Sequence, residues 1–382
     1  SPMKISAVLA IALRGILLLS SVFLLVQSYF SLANFLQYRT EIDVRFKQEI
    51  APFPAVSVCF DLEEYAQFTE SDVTFDKETA PVDVSDFVLS GTFNRELIAI
   101  PANAQDFREF LDVDHYGHCF SYNWNISRGL RTAKPGPKYG LRLMLKTNAS
   151  DSTKSGRIRI VVHEQDVVAV PHQSGLTASP GYTISVGYKQ KAIRRLSEPY
   201  GVCRESDVGY QFQYSQEQCR SDCINNLIFI ACGCAYPPNP LIKHNPHQCN
   251  TTEQRNCLDR ELRSRENDLS ICNCAPDCEE TVYETTSSTS PLPSTVSVCP
   301  TSNAKCTEYN SSNVAIIEVF PTQNHFEMLV ERPTCPLSHL LSDLARNGIL
   351  LLLIVIVAVL LPGRVKAKNE YATIEKAPLT TS

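Results

Sequence analysis

Two long apolar runs, one near each end of the chain, are the strongest feature of its hydrophobic pattern. The first is a twenty-residue run, Ala7–Val26, which only four residues interrupt. A helix of this length crosses the hydrocarbon core of a bilayer, which is about 30 Å thick. A cleaved signal peptide is the alternative, because Lys4 precedes the run, but the run is too long and no small-residue cleavage site follows it. The pattern predicts a transmembrane helix over residues 7–32.

The second run, Ile349–Leu361, has thirteen consecutive apolar residues, which is short for a membrane span. Leucines at positions 337, 340, 341 and 344 extend it, because they follow the i, i+3, i+4, i+7 spacing of one helix face. Pro336 stands where a helix tolerates proline, and Pro362 marks the expected end. The pattern predicts one helix, Pro336–Leu361, about 39 Å long.

The flanking charges predict how the chain crosses the membrane. Basic residues lie just outside both helices on the terminal sides, which predicts cytosolic segments at residues 1–6 and 362–382. The segment 33–335 is too long for this rule to govern, but four N-x-S/T sequons fall within it and none falls in a terminus. These predicted glycosylation sites are Asn125, Asn148, Asn250 and Asn310. We therefore expect a plasma-membrane protein with an extracellular domain over residues 33–335.

Short alternating or β-branched stretches predict a β-rich body for this extracellular domain. The clearest predicted strands are Leu141–Lys146, Arg157–His163 and Thr183–Tyr188, separated by Gly, Pro, Asn and Ser. Helices are predicted around Val84–Ser90 and Ala104–Leu111. The fold class is thus a membrane protein in which two transmembrane helices flank a large disulfide-rich α+β domain.

Nine of the fifteen cysteines lie between Tyr214 and Cys278. Zinc is the weaker interpretation, because the cysteines are spaced as CxC and CxxxC and the nearby His244 and His247 lie in a Pro- and Asn-rich loop. Extracellular cysteines are expected to be oxidised. We expect disulfides here, with no metal and no cofactor.

Two capping boxes predict helices in this cysteine-rich stretch. In the first, Ser215 accepts the amide of Gln218, whose side chain reaches back to the cap; the second box, Thr251–Gln254, precedes a helix over about Thr252–Glu266. Cys219 and Cys223 are four residues apart and share one helix face. Cysteines 272 and 274 share one face of an extended segment. The two pairs are therefore placed to bridge like the rungs of a ladder.

These residues resemble the degenerin/epithelial sodium channel family, which includes the acid-sensing channels. The motifs that carry the resemblance are FPAVSVC at Phe53–Cys59, GHCFSYN at Gly117–Asn123, YSxxxCxxxC at Tyr214–Cys223, CGC at Cys232–Cys234, CNC with a following cysteine at Cys272–Cys278, and LLSDL at Leu340–Leu344. Their order and their position between two spans also match the family, so the resemblance covers most of the chain.

The resemblance implies a set of disulfides. The implied pairs are Cys59–Cys119, Cys203–Cys278, Cys219–Cys274, Cys223–Cys272, Cys232–Cys257 and Cys234–Cys249. The remaining cysteines are Cys299 and Cys306, which are a plausible local pair, and Cys335, which has no expected partner.

The family also implies a trimer with a hand-like ectodomain, a palm-like β-rich body and a thumb-like cysteine ladder over residues 203–278 that transmits movement to the pore. Tyr200 matches a family Trp that couples ectodomain and membrane. On the second transmembrane helix, His339, Ser342, Asp343 and Arg346 share one polar face, which in a trimer would line an outer vestibule where Asp343 attracts cations. Ser342 matches the position where bulky residues hold degenerin channels open. A solvated helix face above the membrane is the alternative.

The second transmembrane helix departs from the family pattern. Ala345-Arg346 replaces the Gly-Gly or Gly-Ser that follows LLSD, and an unbroken Leu353-Ile354-Val355 replaces the Gly-x-Ser filter. The cytosolic His-Gly motif is also absent from the chain. We therefore expect either a divergent subunit that contributes little to the filter or an incomplete or misassembled version of a normal subunit.

The function that these features predict is a subunit of a trimeric, sodium-selective, amiloride-sensitive type of cation channel, gated through its extracellular domain. Expected partners are other subunits of the family, the lipid bilayer and sodium ions. The alternative is a non-conducting regulatory or receptor-like membrane glycoprotein with the same ectodomain.

The net charge of −6 gives no support for nucleic-acid binding. No enzyme motif appears in the chain. The sequence leaves the gating stimulus open among protons, peptides, force and small ligands.

Overall fold

The structure is a computed structural model, and it describes residues 2–61, 84–98, 106–111, 116–147, 158–171, 174–205, 214–234, 249, 251–265, 271–298 and 306–374. The chain divides into two compact units. One consists of Ser1–Ile42 and Glu331–Ser382, and the other is Asp43–Val330.

The first unit is a pair of long helices, α1 (Pro2–Phe35) and α4 (Leu337–Ile374). Within them, Ile11–Phe35 and Leu337–Leu360 are long and apolar enough to cross a membrane. Helix α4 does not end before Pro362 as the sequence predicted, but continues to Ile374. Proline removes one backbone donor and crowds the preceding turn, yet such a loss bends a helix without necessarily ending it.

The second unit contains two main sheets. The strands are β1 (Thr40–Lys47), β2 (Ala55–Asp61), β3 (Val88–Phe93), β4 (Glu96–Leu97), β5 (Phe107–Leu111), β6 (Tyr116–Tyr122), β7 (Leu141–Lys146), β8 (Ile158–His163), β9 (Leu176–Ala178), β10 (Tyr182–Arg194), β11 (Glu279–Pro291), β12 (Thr295–Val298), β13 (Thr307–Asn310), β14 (Val314–Pro321) and β15 (Phe326–Pro333). Among the described residues, an eight-stranded sheet has the order β1-β15-β10-β14-β7-β3-β4, with β11 paired to β10. A five-stranded sheet has the order β5-β6-β2-β8-β9, and β12 pairs with β13.

The core lies between these sheets, and β7 contributes to it by alternation while β14 is buried at four successive residues, Val314–Ile317. In β7, Leu141, Leu143 and Leu145 are at most 1% exposed, while the residues between them face outward. Strand β10 pairs antiparallel with β11 along its full length, and in parallel with β14 over Thr183–Tyr188.

Two predicted helices proved to be wrong. Residues Val84–Asp86 form one turn of 3-10 helix, and the chain then enters β3. Phe107–Leu111 is a strand that pairs with β6, where the Phe107 ring packs 5.3 Å from the Tyr122 ring between centroids. Strand pairing and aromatic packing supply the energy here, and neither is visible in the local sequence.

The cysteine-rich stretch contains two helices, α2 (Gln216–Cys232) and α3 (Thr252–Arg265). Their shared core is small, with Ile228 and Leu258 at its centre beside Cys234 and Cys249. So few buried apolar side chains cannot hold two helices against a sheet by the hydrophobic effect alone. We infer that covalent cross-links supply much of the stability.

Candidate functional site

Six disulfides lie among the described residues, and their pairs are those that the family resemblance implies. They are Cys59–Cys119, Cys203–Cys278, Cys219–Cys274, Cys223–Cys272, Cys232–Cys257 and Cys234–Cys249. The last five are nested, so that each encloses the next along the chain, and we call them the ladder. Cys306 is also oxidised, whereas Cys335 is free.

Two rungs of the ladder can form side by side because α2 presents two of its cysteines to an extended segment. Cys219 and Cys223 lie one turn apart on α2 and bond Cys274 and Cys272, with Cα atoms 5.9 and 6.0 Å apart. The parallel spacing of the two rungs fixes α2 along the segment that leads into β11. The start of α2 is therefore covalently tied to the segment that precedes β11.

The caps of the two helices differ from the sequence prediction in one detail. The Ser215 hydroxyl accepts the Gln218 amide at 3.1 Å, as expected, but the Gln218 side chain donates to Asp222 at 2.9 Å instead of reaching back. In α3 the box is complete, because Thr251 and Gln254 each accept the other's backbone N–H at 3.2 Å. Both helices therefore begin at the predicted residues.

Further hydrogen bonds join the start of α2 to the same extended segment. The Tyr214 hydroxyl donates to the Ala275 carbonyl at 2.7 Å, and the Gln216 side chain donates to the Cys274 carbonyl at 2.8 Å. Arg195, at the end of β10, donates to the Asp277 carbonyl at 2.7 Å. The foot of the ladder is thus a junction of α2, β10 and β11.

Tyr200, the predicted coupling residue, lies in a turn just before this junction. Its backbone N–H donates to the Ser197 carbonyl at 3.1 Å, and the residue is half-buried. Its role in coupling stays a prediction.

A polar seam connects the two helices of the first unit. The Ser31 hydroxyl of α1 donates to Asp343 Oδ2 on α4 at 3.1 Å, and Arg346 donates to Asp343 Oδ1 at 3.0 Å. One turn further along α4, the Asn347 side chain donates to the Ser28 hydroxyl at 3.1 Å. These bonds stabilise the contact, because polar groups at membrane depth need partners within the protein.

The residues of the predicted polar face of α4 therefore do not share one environment. His339 and Ser342 are exposed, as is Arg346, whereas Asp343 is turned toward α1. Asn347, only 2% exposed, was missed by the sequence analysis. The available signal was the pair of serines at 28 and 31, which are spaced i, i+3 near the end of an apolar helix.

Both described sequons adopt the same local conformation. Asn125 Oδ1 accepts the Ser127 N–H at 2.8 Å, and Asn310 Oδ1 accepts the Ser312 N–H at 3.1 Å. Each is an Asx-turn, in which the asparagine caps a single turn of 3-10 helix. Asn148 and Asn250 lie outside the described residues.

We predict that Asn125 and Asn310 carry glycans when the full chain is made in animal cells. Partial glycosidase digestion of the full chain gives a series of bands on a gel, one for each number of glycans retained. Asn125→Gln and Asn310→Gln should each remove one band from that series. The control is Asn94→Gln, which changes an asparagine outside any sequon and should leave the bands unchanged. An unchanged band pattern for either sequon variant would contradict the assignment at that site.

Within the described residues, no grouping of three or more His, Cys, Asp or Glu side chains is suited to a metal. The candidate site consists of the nested disulfides, the junction of α2, β10 and β11, and the polar seam between α1 and α4.

Comparison with known proteins places these features in a family. The family model described as "Amiloride-sensitive sodium channel" matches residues 60–346. A solved structure, the "Cryo-EM structure of a proton-activated chloride channel", is similar over 93% of this chain and 98% of its own, at 8% identity and a TM-score of 0.39.

Several nematode proteins are similar over most of the chain. "Degenerin unc-8" of Caenorhabditis elegans is 34% identical over 69% of this chain and 36% of its own length. "Degenerin mec-4" of Caenorhabditis briggsae is 31% identical over 70% and 36%, and "Degenerin-like protein asic-1" of C. elegans is 31% identical over 68% and 33%. The chain thus spans about a third of the length of these relatives. The family match over residues 60–346 shows that the chain belongs to the amiloride-sensitive sodium channel family, which includes the degenerins.

Proposed function

We propose that this chain is a subunit of a trimeric, sodium-selective, amiloride-sensitive cation channel that is gated through its extracellular domain. The observation that carries the proposal is the match of residues 60–346 to the amiloride-sensitive sodium channel family, together with two helices apolar enough to span a membrane. Both termini are cytosolic in this proposal, and the Asp43–Val330 unit is extracellular.

In the proposed mechanism the nested disulfides transmit movement of α2 to the sheet, and α4 contributes to the cation pathway. The nested disulfides tie α2 to the start of β11, so a ligand or force acting on α2 would act on the sheet. On α4, the exposed Ser342 and His339 would face the outer vestibule of a trimer. Asp343 would favour cations over anions at this level of the pathway only if its charge outweighs that of Arg346, with which it pairs at 3.0 Å.

The apolar C-terminal part of the membrane-spanning segment of α4 offers no site for a sodium ion. Leu353, Ile354 and Val355 lie in an unbroken helix, and such side chains offer no oxygen to replace the water shell of an ion. Sodium selectivity would then depend on the polar upper half of α4 or on other subunits of the trimer.

The test is a voltage-clamp recording on cells that express the full chain, alone and with a conducting degenerin-type subunit. We expect an inward current that disappears when external sodium is replaced by a large organic cation and that amiloride blocks. Surface biotinylation in the same cells establishes that the protein has reached the plasma membrane. Surface protein that adds no current and leaves the selectivity and block of the co-expressed subunit unchanged would refute the proposal and favour a non-conducting glycoprotein.

A further inference from the structure

Asp277 lies at the junction where α2, β10 and β11 meet. Its backbone forms an isolated parallel bridge with Arg204, and its carbonyl accepts a bond from Arg195. The next residue, Cys278, is bonded to Cys203. The backbone of Asp277 is therefore held from several directions, and its side chain cannot move far.

The Asp277 side chain is buried but incompletely paired. The residue is 9% exposed, and its carboxylate accepts the backbone N–H of Gln216, the first residue of α2. Within the described part of the chain, Asp277 Oδ1 has no hydrogen-bond partner. An unpaired buried carboxylate oxygen costs free energy when the group is ionised.

Charges of both signs surround Asp277. The groups near its carboxyl are Glu280 on β11, Glu164 after β8, Arg195 after β10, Arg204 in the bridged segment, Tyr214 before α2 and Arg220 on α2. Arg195 pairs with Glu280 at 2.7 Å, and no salt bridge to the Asp277 carboxylate is found among the residues that the structure describes. Glu164 is held in place by Thr281, whose hydroxyl and N–H donate to it at 2.9 and 3.1 Å.

These surroundings make the carboxyl easy to protonate. Burial, and then the charge of Glu280, raise the pKa of Asp277 to about 6, against the opposing effects of the Gln216 N–H and Arg195. Burial also raises the pKa of Glu164. Both groups lie outside the helices that could span a membrane.

We propose that Asp277 is a proton-operated switch at the foot of α2. In the ionised form, the carboxylate attracts the positive N-terminus of α2 through the Gln216 N–H and is repelled by Glu164 and Glu280. Proton binding weakens that attraction and removes the repulsion, so the forces between the first turn of α2 and the β10–β11 sheet change together. The Cys219–Cys274 disulfide keeps α2 attached, which limits the change to a small shift of its first turn.

The first test measures the thermal unfolding midpoint of the purified full chain in detergent between pH 7.5 and 5. A carboxyl whose pKa is raised in the folded state destabilises the protein at pH values above that pKa; the cost starts to fall as the pH drops through the folded pKa and is gone only below the unfolded pKa of about 3.9. Asp277→Asn should therefore have a higher midpoint than the native chain at pH 7.5, and the difference should be constant down to about pH 6.5 and then shrink steadily toward pH 5. Asp259→Asn, the same change at an exposed position of α3, should show no such trend.

Other titrating groups cancel in this comparison. His163, which contacts Ser57 at 2.7 Å, has a pKa that burial lowers to about 4, so it lowers stability below pH 6.5 in every variant alike. Should Asp277→Asn fail to fold, Glu280→Gln replaces it, because it removes a repelling charge and should move the titration to lower pH. A pH-independent difference for Asp277→Asn, or an unmoved titration in Glu280→Gln, would overturn the proposal.

The second test rests on the proposed channel function. External acidification from pH 7.4 to 5.5 should change the sodium current with a half-effect near pH 6, and Asp277→Asn should abolish the change while Asp259→Asn retains it. An acid response that persists in Asp277→Asn would contradict the switch. Absence of any current would count against the channel function alone, since the unfolding test decides on the switch independently.

Discussion

Replacing Phe53 by alanine should destabilise the extracellular unit by about 3–5 kcal/mol, which is the usual cost of deleting a buried phenylalanine side chain. Phe53 is 1% exposed and immediately precedes β2. Its ring packs 4.9 Å from Phe93 and 6.0 Å from Tyr188, measured between centroids. Phe93 and Tyr188 belong to the eight-stranded sheet, so Phe53 links the two sheets and alanine would leave a cavity between them.

Native stabilities are about 5–15 kcal/mol, so a loss of this size is a large share of the total. The thermal unfolding midpoint of the purified full chain should fall markedly, and less protein should reach the cell surface. The matched control is Phe46→Ala on β1, because Phe46 is 58% exposed and should cost less than about 1 kcal/mol. Equal midpoints for the two variants would show that Phe53 is not part of a packed core.

Removing the two rungs that hold α2 to the extended segment should release the thumb-like region while leaving the sheets intact. The variant replaces Cys219, Cys223, Cys272 and Cys274 by serine. Each disulfide contributes about 2–4 kcal/mol when considered singly, and the small core around Ile228 and Leu258 cannot replace two of them. Limited proteolysis of the full chain should therefore cut first within residues 214–278.

The control for this variant is Cys335→Ser, which changes the free cysteine and should leave the proteolysis pattern unchanged. In current recordings, the four-serine variant should also lose responses that arise in the ectodomain, since α2 would no longer move the start of β11. A native proteolysis pattern in the four-serine variant would mean that contacts other than the ladder hold α2 in place.

Where the local pattern was strict, the sequence predicted the fold well. The alternation Leu141–Lys146 gave β7 with its observed bounds, and the boxes at Ser215 and Thr251 gave the starts of α2 and α3. The reason is that a period-2 core face and a helix cap are both determined by residues close together in the chain.

Where distant partners decide, the sequence prediction was wrong or incomplete. Phe107–Leu111 became a strand because β6 lies beside it, and Asp343 turned toward a serine 312 residues away. Likewise, the raised pKa of Asp277 depends first on burial and then on charges that include Glu164, which approaches from another strand end. Such features require the tertiary arrangement; for the contact between α1 and α4 the serines at 28 and 31 were a signal, but they do not say which residues of α4 they meet.

Thiol labelling at position 342 decides whether α4 of this chain borders a cation pathway, as we propose. The chain carries Cys335→Ser to remove the free thiol, and Ser342→Cys introduces a new thiol at an exposed position of α4. A positively charged thiol reagent is then added to the outside during recording from cells that express the chain.

If α4 borders the pathway, labelling should change the amiloride-sensitive sodium current irreversibly, and the reagent should have no effect in the Cys335→Ser background alone. A biotin-tagged reagent establishes on a gel that position 342 has reacted. A current that is unaltered while position 342 is fully labelled would contradict the claim that α4 borders the pathway.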